Sequence, residues 1–430
     1  MITAATVDEQ LKAVTSDEPR ILIVGAGIAG ITVAQLLRAH GLHPVLIDRS
    51  ADAERMIGDN RAGYMLALMP MVDPVIDELG CRESYLEASV GIDRYIAHAH
   101  TGRVLRQDHL GALLAEYGDY RGISRAALLT VLTGSDCPIA FDTAVGRLSD
   151  DGESVSVTWA EDHPREERSP GDDFDVVVIA DGMNSRTRGL VSGGPEEANP
   201  ACADAVDTAW GGWVCWADAD ADVDAVDEVW GDGFFLGMYP VKDGIGVFLG
   251  CPDSRQPLGP RRFADEVRGR LRETTPRIDA CLDAIAAAGD PFFWPLRDSR
   301  TQRWVHGRTV LLGDAAAGFL PTAGIGAGMA MEAAGVLAAE LRTFADGHTD
   351  SSSTVSAAAS FDPDAVLKRF ESRQRPRVEA AHDNSRSLAR MMFDRSRIVA
   401  AVRDQVFRFV SLKIALGPIV KLLKAPVGRM

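Results

Sequence analysis

The chain has 430 residues, of which 46% are hydrophobic and 25% are charged. This composition allows two or three globular domains and excludes wholesale disorder, collagen-like repeats and a small disulfide-framed fold. Its 45 basic and 62 acidic residues leave a net charge of −17, which argues against nucleic acid as a partner. No apolar run reaches the ~20 residues that span a bilayer. The start of the chain is not signal-like, and the six cysteines form no metal pattern, so we expect a cytoplasmic protein without a metal site.

The chain opens with the pattern of a strand, a helix and a second strand. Residues 21–24 form an apolar run that ends in glycine, as a buried parallel strand does. Apolar residues then recur at helical spacing until Gly41, and residues 44–48 predict the second strand. Such a unit of about 30 residues is the usual start of a nucleotide-binding domain.

Three glycines between that strand and helix predict dinucleotide binding. Gly25 permits a tight turn, Gly27 lets a pyrophosphate approach backbone N–H groups, and Gly30 lets helix and strand pack closely. Asp48, at the end of the second strand, can accept hydrogen bonds from both hydroxyls of an adenosine ribose.

The remaining elements follow from apolar periodicity and from turn residues. Up to the third buried strand we predict a helix over 70–79, a hairpin over 95–106, a helix over 125–132 capped by Ser124, a hairpin from 144–148 and 155–159, an exposed loop over 161–173 and a strand over 174–180. Beyond it we predict a mixed or antiparallel aromatic-rich sheet over 205–251, a helix over 262–286, a strand over 309–312, a helix over 326–341, a surface loop over 348–360 and mostly helix from 363 on. The strands near 21, 44, 174 and 309 are expected to share one sheet.

Two further motifs follow predicted strands. Asp181-Gly182 follows the strand predicted over 174–180. Gly313-Asp314 follows the strand predicted over 309–312 and precedes a glycine-rich helix start at 324–328. Asp314 can hold a polyol hydroxyl, and the free N–H groups of the helix start suit a ligand that gains negative charge when it is reduced, as a flavin does.

The three motifs, in this order, resemble those of the class A FAD-dependent flavoprotein monooxygenases, the para-hydroxybenzoate hydroxylase-like group, over about residues 20–345. The resemblance implies an α/β fold: a Rossmann-like FAD/NAD(P)-binding domain of the glutathione-reductase type, an inserted mixed β-sheet substrate domain and a C-terminal helical region. The expected FAD domain comprises 18–90, 108–195 and 300–345, the substrate domain 91–107 and 196–299, and the helical region 346–430.

The resemblance also implies which residues hold FAD. The first glycine motif would bind its ADP half, Asp314 its ribityl chain, and Pro321 would lie beside the ring. The full set that it implies is Gly25, Gly27, Gly30, Asp48, Arg49, Arg61, Arg125, Asp181, Gly182, Gly313, Asp314, Pro321, Gly324 and Gly326. Ala317 stands where the family usually has histidine, and Met329 where it often has asparagine.

The chemistry that the resemblance implies is a monooxygenation. NAD(P)H, bound transiently, would reduce FAD, and one oxygen of O2 would pass from a flavin C4a-hydroperoxide to a hydrophobic, aromatic or polycyclic substrate by hydroxylation or epoxidation. Two alternatives remain open: a flavin-dependent reductase, dehydrogenase or halogenase on the same fold, and a non-catalytic lipid-binding protein on this scaffold.

Aromatic residues of the 205–251 segment are the candidates for the substrate pocket, and they favour a large apolar ligand. They are Trp213, Trp216, Trp230, Phe234, Phe235 and Tyr239. No side chain stands out as a catalytic base. The histidines expected to border the pocket, and therefore considered for that role, are His98, His100 and His109.

The C-terminal stretch 406–424 carries four cations and no acid in an acidic protein. Gly417-Pro418 and these charges argue against a membrane-spanning helix. Two interpretations remain open: the stretch docks onto its own domain or a twin subunit, or it lies on an anionic membrane surface.

Overall fold

The computed structural model describes residues 1–58, 65–160, 171–191, 204–349, 362–394 and 396–425. The strands, in chain order, are β1 Ile2–Ala4, β2 Ile21–Val24, β3 Val45–Ile47, β4 Met65–Leu68, β5 Val90–Gly91, β6 Arg94–His98, β7 Val104–His109, β8 Arg121–Ser124, β9 Cys137–Ile139, β10 Val145–Asp150, β11 Val155–Trp159, β12 Asp172–Phe174, β13 Val176–Ile179, β14 Asp204–Asp218, β15 Ala225–Trp230, β16 Phe235–Val241, β17 Gly244–Pro252, β18 Phe292–Arg300, β19 Val305–His306, β20 Thr309–Leu311 and β21 Ala317–Gly318.

The helices, in chain order, are α1 Val7–Leu11, α2 Ile28–Ala39, α3 Ala53–Gly58, α4 Asp73–Glu78, α5 Arg82–Ala88, α6 Leu110–Leu114, α7 Arg125–Leu132, α8 Thr187–Val191, α9 Gly259–Arg270, α10 Pro276–Ala287, α11 Gly326–Thr349, α12 Pro363–Met392, α13 Arg397–Phe409, α14 Leu412–Ala415 and α15 Gly417–Lys424. Short 3-10 turns lie at Pro70–Val72, Asp253–Leu258, Gly313–Ala315 and Pro321–Ala323.

A five-stranded sheet in the order β19-β20-β13-β2-β3 forms the centre of the first half of the fold. The strands β20, β13, β2 and β3 run parallel, and each is a short apolar run buried on both faces, as parallel sheets require. Helices α2 and α11 pack against each other beside this sheet. The predicted sharing of one sheet by four distant strands is confirmed.

An eight-stranded sheet in the order β21-β18-β14-β17-β16-β15-β6-β7 forms the second unit. Its neighbours are antiparallel except for the parallel pair β15 and β6, so the predicted mixed sheet is confirmed. One face packs against α9 and α10, and the other faces the cavity described below. The exact domain boundaries that we expect from the sequence stay predictions.

Several predicted elements differ in their bounds. The strand expected over 174–180 begins at Val176, because Asp172–Phe174 pairs instead with β11 in a separate small sheet. The helix expected over 262–286 is two helices, since the chain leaves α9 at Leu271 and α10 starts anew at Pro276. The expected loop 161–173 lies outside the described residues up to 170. The loop expected over 348–360 lies outside the described residues from 350 on. The helix expected over 326–341 is longer than predicted, because α11 extends to Thr349.

Helix α12 ties the C-terminal region to both sheets. It packs along α11, and Arg386 in its second half donates hydrogen bonds to the buried carboxylate of Asp298 at 2.8 and 2.9 Å and to Asp204. Both aspartates belong to strands of the large sheet, β18 and β14. Helices α13 to α15 then fold back and line the cavity described below. Ile419 and Leu422 of α15 are buried in the main core.

Candidate active site

The tips of three adjacent parallel strands meet at one edge of the five-stranded sheet. Ile179 pairs with both Val24 and Leu311, so the chain leaves β2, β13 and β20 at the same level. The loops that follow carry the three motifs of the sequence. Ligands of open α/β sheets bind outside the carboxyl ends of the strands, so this edge is a candidate cofactor site.

The three glycines of the first loop have different roles. Gly25 has a φ of +104°, and a Cβ there would lie 2.7 Å from the carbonyl oxygen of Ala180. A Cβ on Gly30 would lie 1.9 Å from the carbonyl oxygen of Gly25. Gly27, by contrast, lies at the N-cap of α2 and lines the cavity, and a Cβ added to it would meet no atom within 4 Å. The first and third glycines therefore allow close packing, and the second leaves open space for a ligand.

The acid of the second strand is held by backbone donors. Asp48 accepts a hydrogen bond from the Ala26 N–H at 2.7 Å and another from the Ser50 N–H at 2.8 Å. It lies at the tip of β3 beside the glycine loop, and the exposed Arg49 follows it. Neither side chain lines the cavity itself.

Two further carboxylates lie at this edge. Asp181 accepts hydrogen bonds from Thr187 through one oxygen, at 3.0 Å from the hydroxyl, whereas its buried second oxygen has no partner among the described residues. Asp314 lies in the 3-10 turn after β20 and lines the cavity, and burial raises its pKa to about 6. Both observations fit a ligand that donates hydrogen bonds. Its hydroxyl groups would satisfy the unpaired oxygen of Asp181 and would stabilise the ionised carboxylate of Asp314.

The start of α11 completes this part of the site. Pro321 opens the preceding 3-10 turn, and Gly324 turns the chain with a φ of +61° before α11 begins at Gly326. All three residues line the cavity, as does Gly182. The helix therefore presents its free N–H groups and the positive end of its dipole at the cavity edge, which favours an anionic group.

Arg125 also lines the cavity, at the first position of α7. Ser124 caps that helix as predicted, accepting a hydrogen bond from the Ala127 N–H at 3.1 Å. The Arg125 guanidinium donates to the carbonyl oxygen of Met56 at 3.2 Å, which fixes its position at the cavity wall. Arg61, the other predicted arginine, lies outside the described residues.

The cavity has a volume of about 650 Å³ and runs from these loops to the large sheet and the C-terminal helices. Its walls away from the strand tips are mainly aromatic, aliphatic and thioether side chains. They are Trp230, Phe235, Phe248, Trp294 and Leu296 of the large sheet, Leu388, Met391, Met392 and Phe393 around the end of α12, and Phe407, Val410, Leu412, Leu416 and Ile419 of the C-terminal helices.

The structure corrects three of the predicted pocket residues. Trp213 and Phe234 point to the opposite face of the sheet, where Trp213 packs against Phe263 with ring centroids 5.7 Å apart. Trp216 is 44% exposed near the end of β14 and does not line the cavity. Successive residues of a strand alternate between faces, so Trp230, Phe235 and Tyr239 reach the cavity while their neighbours form the other core.

The three histidines that we considered as bases are elsewhere. His98 is buried between the Gly102 carbonyl and Asp227, at 2.7 Å from the carboxylate. His100 bonds to Asp404 at 2.6 Å, and His109 is exposed beside Asp93. None of them lines the cavity, so each has a structural partner instead of a substrate.

Sequence reasoning missed the polar group of the cavity, which is Glu228. Its carboxylate accepts hydrogen bonds from the hydroxyls of Tyr95 at 2.7 Å and Tyr239 at 2.8 Å and from the indole N–H of Trp230 at 2.9 Å. All four residues line the cavity, and among the described residues no cation pairs with Glu228. Burial and the neighbouring Glu228 charge raise the pKa of both tyrosines well above 10, so they remain donors. The alternation that puts Glu228 on the face of Trp230 was the available signal.

Comparison with known proteins identifies the family of this chain and several relatives. A family model described as FAD binding domain matches residues 18–360. A flavin-dependent monooxygenase from an unknown prokaryotic organism is 25% identical over 339 residues, covering 76% of this chain and 82% of the relative. The 6-hydroxynicotinate 3-monooxygenase of Pseudomonas fluorescens is 28% identical over 342 residues, covering 75% and 82%.

Solved structures share the fold. The Klebsiella pneumoniae HpxO complexed with FAD and uric acid superposes with a TM-score of 0.75 at 21% identity, covering 95% of this chain and 98% of that one. The tetracycline destructase Tet(55) superposes with a TM-score of 0.67 at 20% identity, covering 97% and 100%. The predicted fold class is confirmed. In the described part of the chain, no helix is both long enough and apolar enough to cross a bilayer.

Proposed function

This chain belongs to the FAD binding domain family and is a flavin-dependent monooxygenase of aromatic substrates, and on that premise we propose that it oxidises a large, apolar molecule with two or more fused rings. FAD is its cofactor, and NAD(P)H is the typical reductant of its class. The observation that carries the proposal is the wall of aromatic, aliphatic and methionine side chains opposite the strand tips. Such walls bind apolar ligands, and methionine adapts to irregular shapes.

The residues at the strand tips fit FAD in our proposal. Gly27 leaves room for its pyrophosphate, the orphaned oxygen of Asp181 and the carboxylate of Asp314 can accept its hydroxyl donors, and the start of α11 can face the ring edge that becomes negative. When bound, FAD supplies the acceptance of electrons from NAD(P)H and their transfer to O2. The chain itself binds the cofactor and the substrate, and it keeps water from the apolar end of the cavity.

Glu228 is the positioning residue in this proposal. It holds the two tyrosine hydroxyls and the Trp230 indole in fixed orientations, which leaves the phenolic oxygens of Tyr95 and Tyr239 as acceptors for a substrate hydroxyl. Its charge has no cationic partner among the described residues, so it repels a substrate carboxylate. Arg106, the cation that lines the same end, is already paired with Asp108 and with backbone carbonyls of the C-terminal region. The cavity therefore favours an uncharged, hydroxylated ring system.

The substrate class is tested with the FAD-loaded enzyme and graded hydroxyarenes. We expect 2-naphthol and hydroxylated three-ring or four-ring compounds to accelerate anaerobic flavin reduction by NADH or NADPH more than phenol does, because they fill more of the apolar wall. In air, oxygen from labelled O2 should appear in the product. A preference for single-ring carboxylates would contradict the proposed substrate, and reduction without incorporated oxygen would indicate a reductase.

The role of Glu228 is tested by Glu228→Gln. The parent enzyme should bind 2-naphthol more tightly than 6-hydroxy-2-naphthoic acid, and the variant should narrow that preference about tenfold because the repelling charge is gone. FAD content should stay unchanged. The exposed Glu153→Gln serves as the control and should leave the preference as it is. An unchanged preference in Glu228→Gln would remove Glu228 from substrate discrimination.

A further inference from the structure

Helix α13 has its polar and apolar faces reversed relative to an ordinary surface helix. Its inward face carries Ala400, Arg403 and Asp404, all at most 4% exposed. Arg403 donates to the Gly231 carbonyl at 2.9 Å, and Asp404 accepts from His100 at 2.6 Å. A surface helix normally turns such charges outward and its apolar stripe toward the core.

The outward side of α13 and α14 carries a set of exposed apolar side chains, which we call the apolar face. Its members, with their exposed fractions, are Ile398 77%, Val399 41%, Val402 59%, Val406 45%, Phe409 80% and Ile414 69%. Six of the eleven large hydrophobic residues that are exposed in the described chain therefore lie within 17 residues. Clustering of this kind marks an interaction surface, because single exposed apolar residues are otherwise scattered.

The exposed charges on the helices that carry the apolar face and on α15 are of one sign. Arg397, Arg408, Lys413, Lys421 and Lys424 are exposed on α13 to α15, whereas the single acid between Ser396 and Ala425, Asp404, is buried. The whole chain carries −17. An isologous contact with a second copy would place these cations against their own counterparts, which is unfavourable. An anionic surface would attract them while its apolar interior covers the exposed side chains.

The same helices form a wall of the apolar cavity. Phe407 packs against Trp230 with ring centroids 4.6 Å apart, and Val406 both lines the cavity and is 45% exposed. We propose that the apolar face docks the enzyme on an anionic lipid bilayer, with α13 and α14 at the level of the headgroups. A lipid-soluble substrate would then lie next to the cavity entrance.

The proposal is tested by flotation of the FAD-loaded, full-length protein with vesicles. Vesicles of phosphatidylcholine with a third of phosphatidylglycerol should carry the protein, and pure phosphatidylcholine should carry much less. The triple variant Ile398→Ser, Phe409→Ser, Ile414→Ser and the triple variant Lys413→Gln, Lys421→Gln, Lys424→Gln should each bind about tenfold more weakly. Val223→Ser, which removes an exposed apolar side chain elsewhere, should float like the parent.

Flavin content and NAD(P)H oxidation with a water-soluble hydroxyarene show that each variant is folded, because none of the altered residues lines the cavity. Absence of flotation of the parent, or equal flotation of the parent and the serine variant, would overturn the proposal. Sedimentation velocity without vesicles tests whether the apolar face binds a second copy of the chain instead. A dimer of the parent that the serine variant abolishes would assign the apolar face to self-association and would also overturn it.

Discussion

Replacing Gly27 by alanine is expected to remove most of the bound FAD while leaving the fold intact. The φ of Gly27 is −77°, which alanine adopts freely, and no atom lies within 4 Å of the added Cβ. The new methyl group therefore projects into the space that we assign to the pyrophosphate. Loss of one or two backbone hydrogen bonds to a charged group, at about 1.5–3 kcal/mol each, predicts a Kd for FAD that is at least ~10-fold higher.

The measurement compares flavin content after purification and FAD affinity by fluorescence quenching. Gly269→Ala provides the matched control, since it adds the same methyl group at an open site in α9 and should retain the full flavin content. Gly30→Ala provides the opposite case, because its Cβ would lie 1.9 Å from a backbone oxygen and should prevent stable folding. A full flavin load in Gly27→Ala would show that the cofactor does not approach this loop.

Asp314→Asn is expected to stabilise the apoprotein at neutral pH and yet to weaken FAD binding. The carboxyl ionises near 3.8 in the unfolded chain and at about 6 in the fold, because burial disfavours its charge and raises its pKa. Between these values the folded apoprotein holds the extra proton, so its free energy of unfolding falls as the pH rises from about 4 to about 6. The loss, on the order of 1–3 kcal/mol, persists at higher pH, and asparagine removes it.

With FAD present, we expect the ionised carboxylate of Asp314 to be favourable instead of destabilising. In the proposed contact, a ribityl hydroxyl would donate to the ionised carboxylate. In the parent protein the affinity for FAD should then rise with pH through about 6, and Asp314→Asn should bind FAD roughly 10–100-fold more weakly without that rise. Thermal unfolding of apoprotein at pH 4.5 and 7.5, together with FAD titrations at both, measures the two effects. The exposed Asp265→Asn should change neither. A higher FAD affinity in Asp314→Asn would contradict the assigned contact.

Local patterns were sufficient for the strand tips. The buried runs predicted over 21–24 and 309–312, the glycines between strand and helix, and the Ser124 cap depend on residues within a few positions of each other. The structure has them within one residue of where the sequence predicts them. The different roles of the three glycines could not be predicted in the same way from local patterns. That Gly30 packs on Gly25 and Gly25 on Ala180 follows from contacts across the fold, and these contacts single out Gly27 as the open position.

The substrate half of the cavity shows why pattern reasoning stops. Alternation separates Trp213 from Val214 and Phe234 from Phe235, but it does not say which face α9 and α10 cover. Likewise, Tyr95 reaches Glu228 across 133 positions of sequence, through the parallel pairing of β15 and β6. No local signal specifies that pairing.

The sequence by itself determined a dinucleotide-binding unit, because the strand, turn and helix-start requirements for holding a dinucleotide are local and lie in adjacent residues. The class of fold, the cofactor and the family followed from the resemblance of its three motifs to those of a known family. Only the tertiary structure decided which aromatic residues face the cavity, that Glu228 is its polar group, and that α13 turns its charges inward and its apolar side chains outward. The reason is physical: burial of a side chain depends on what packs over it, and the covering elements come from positions far away in the chain.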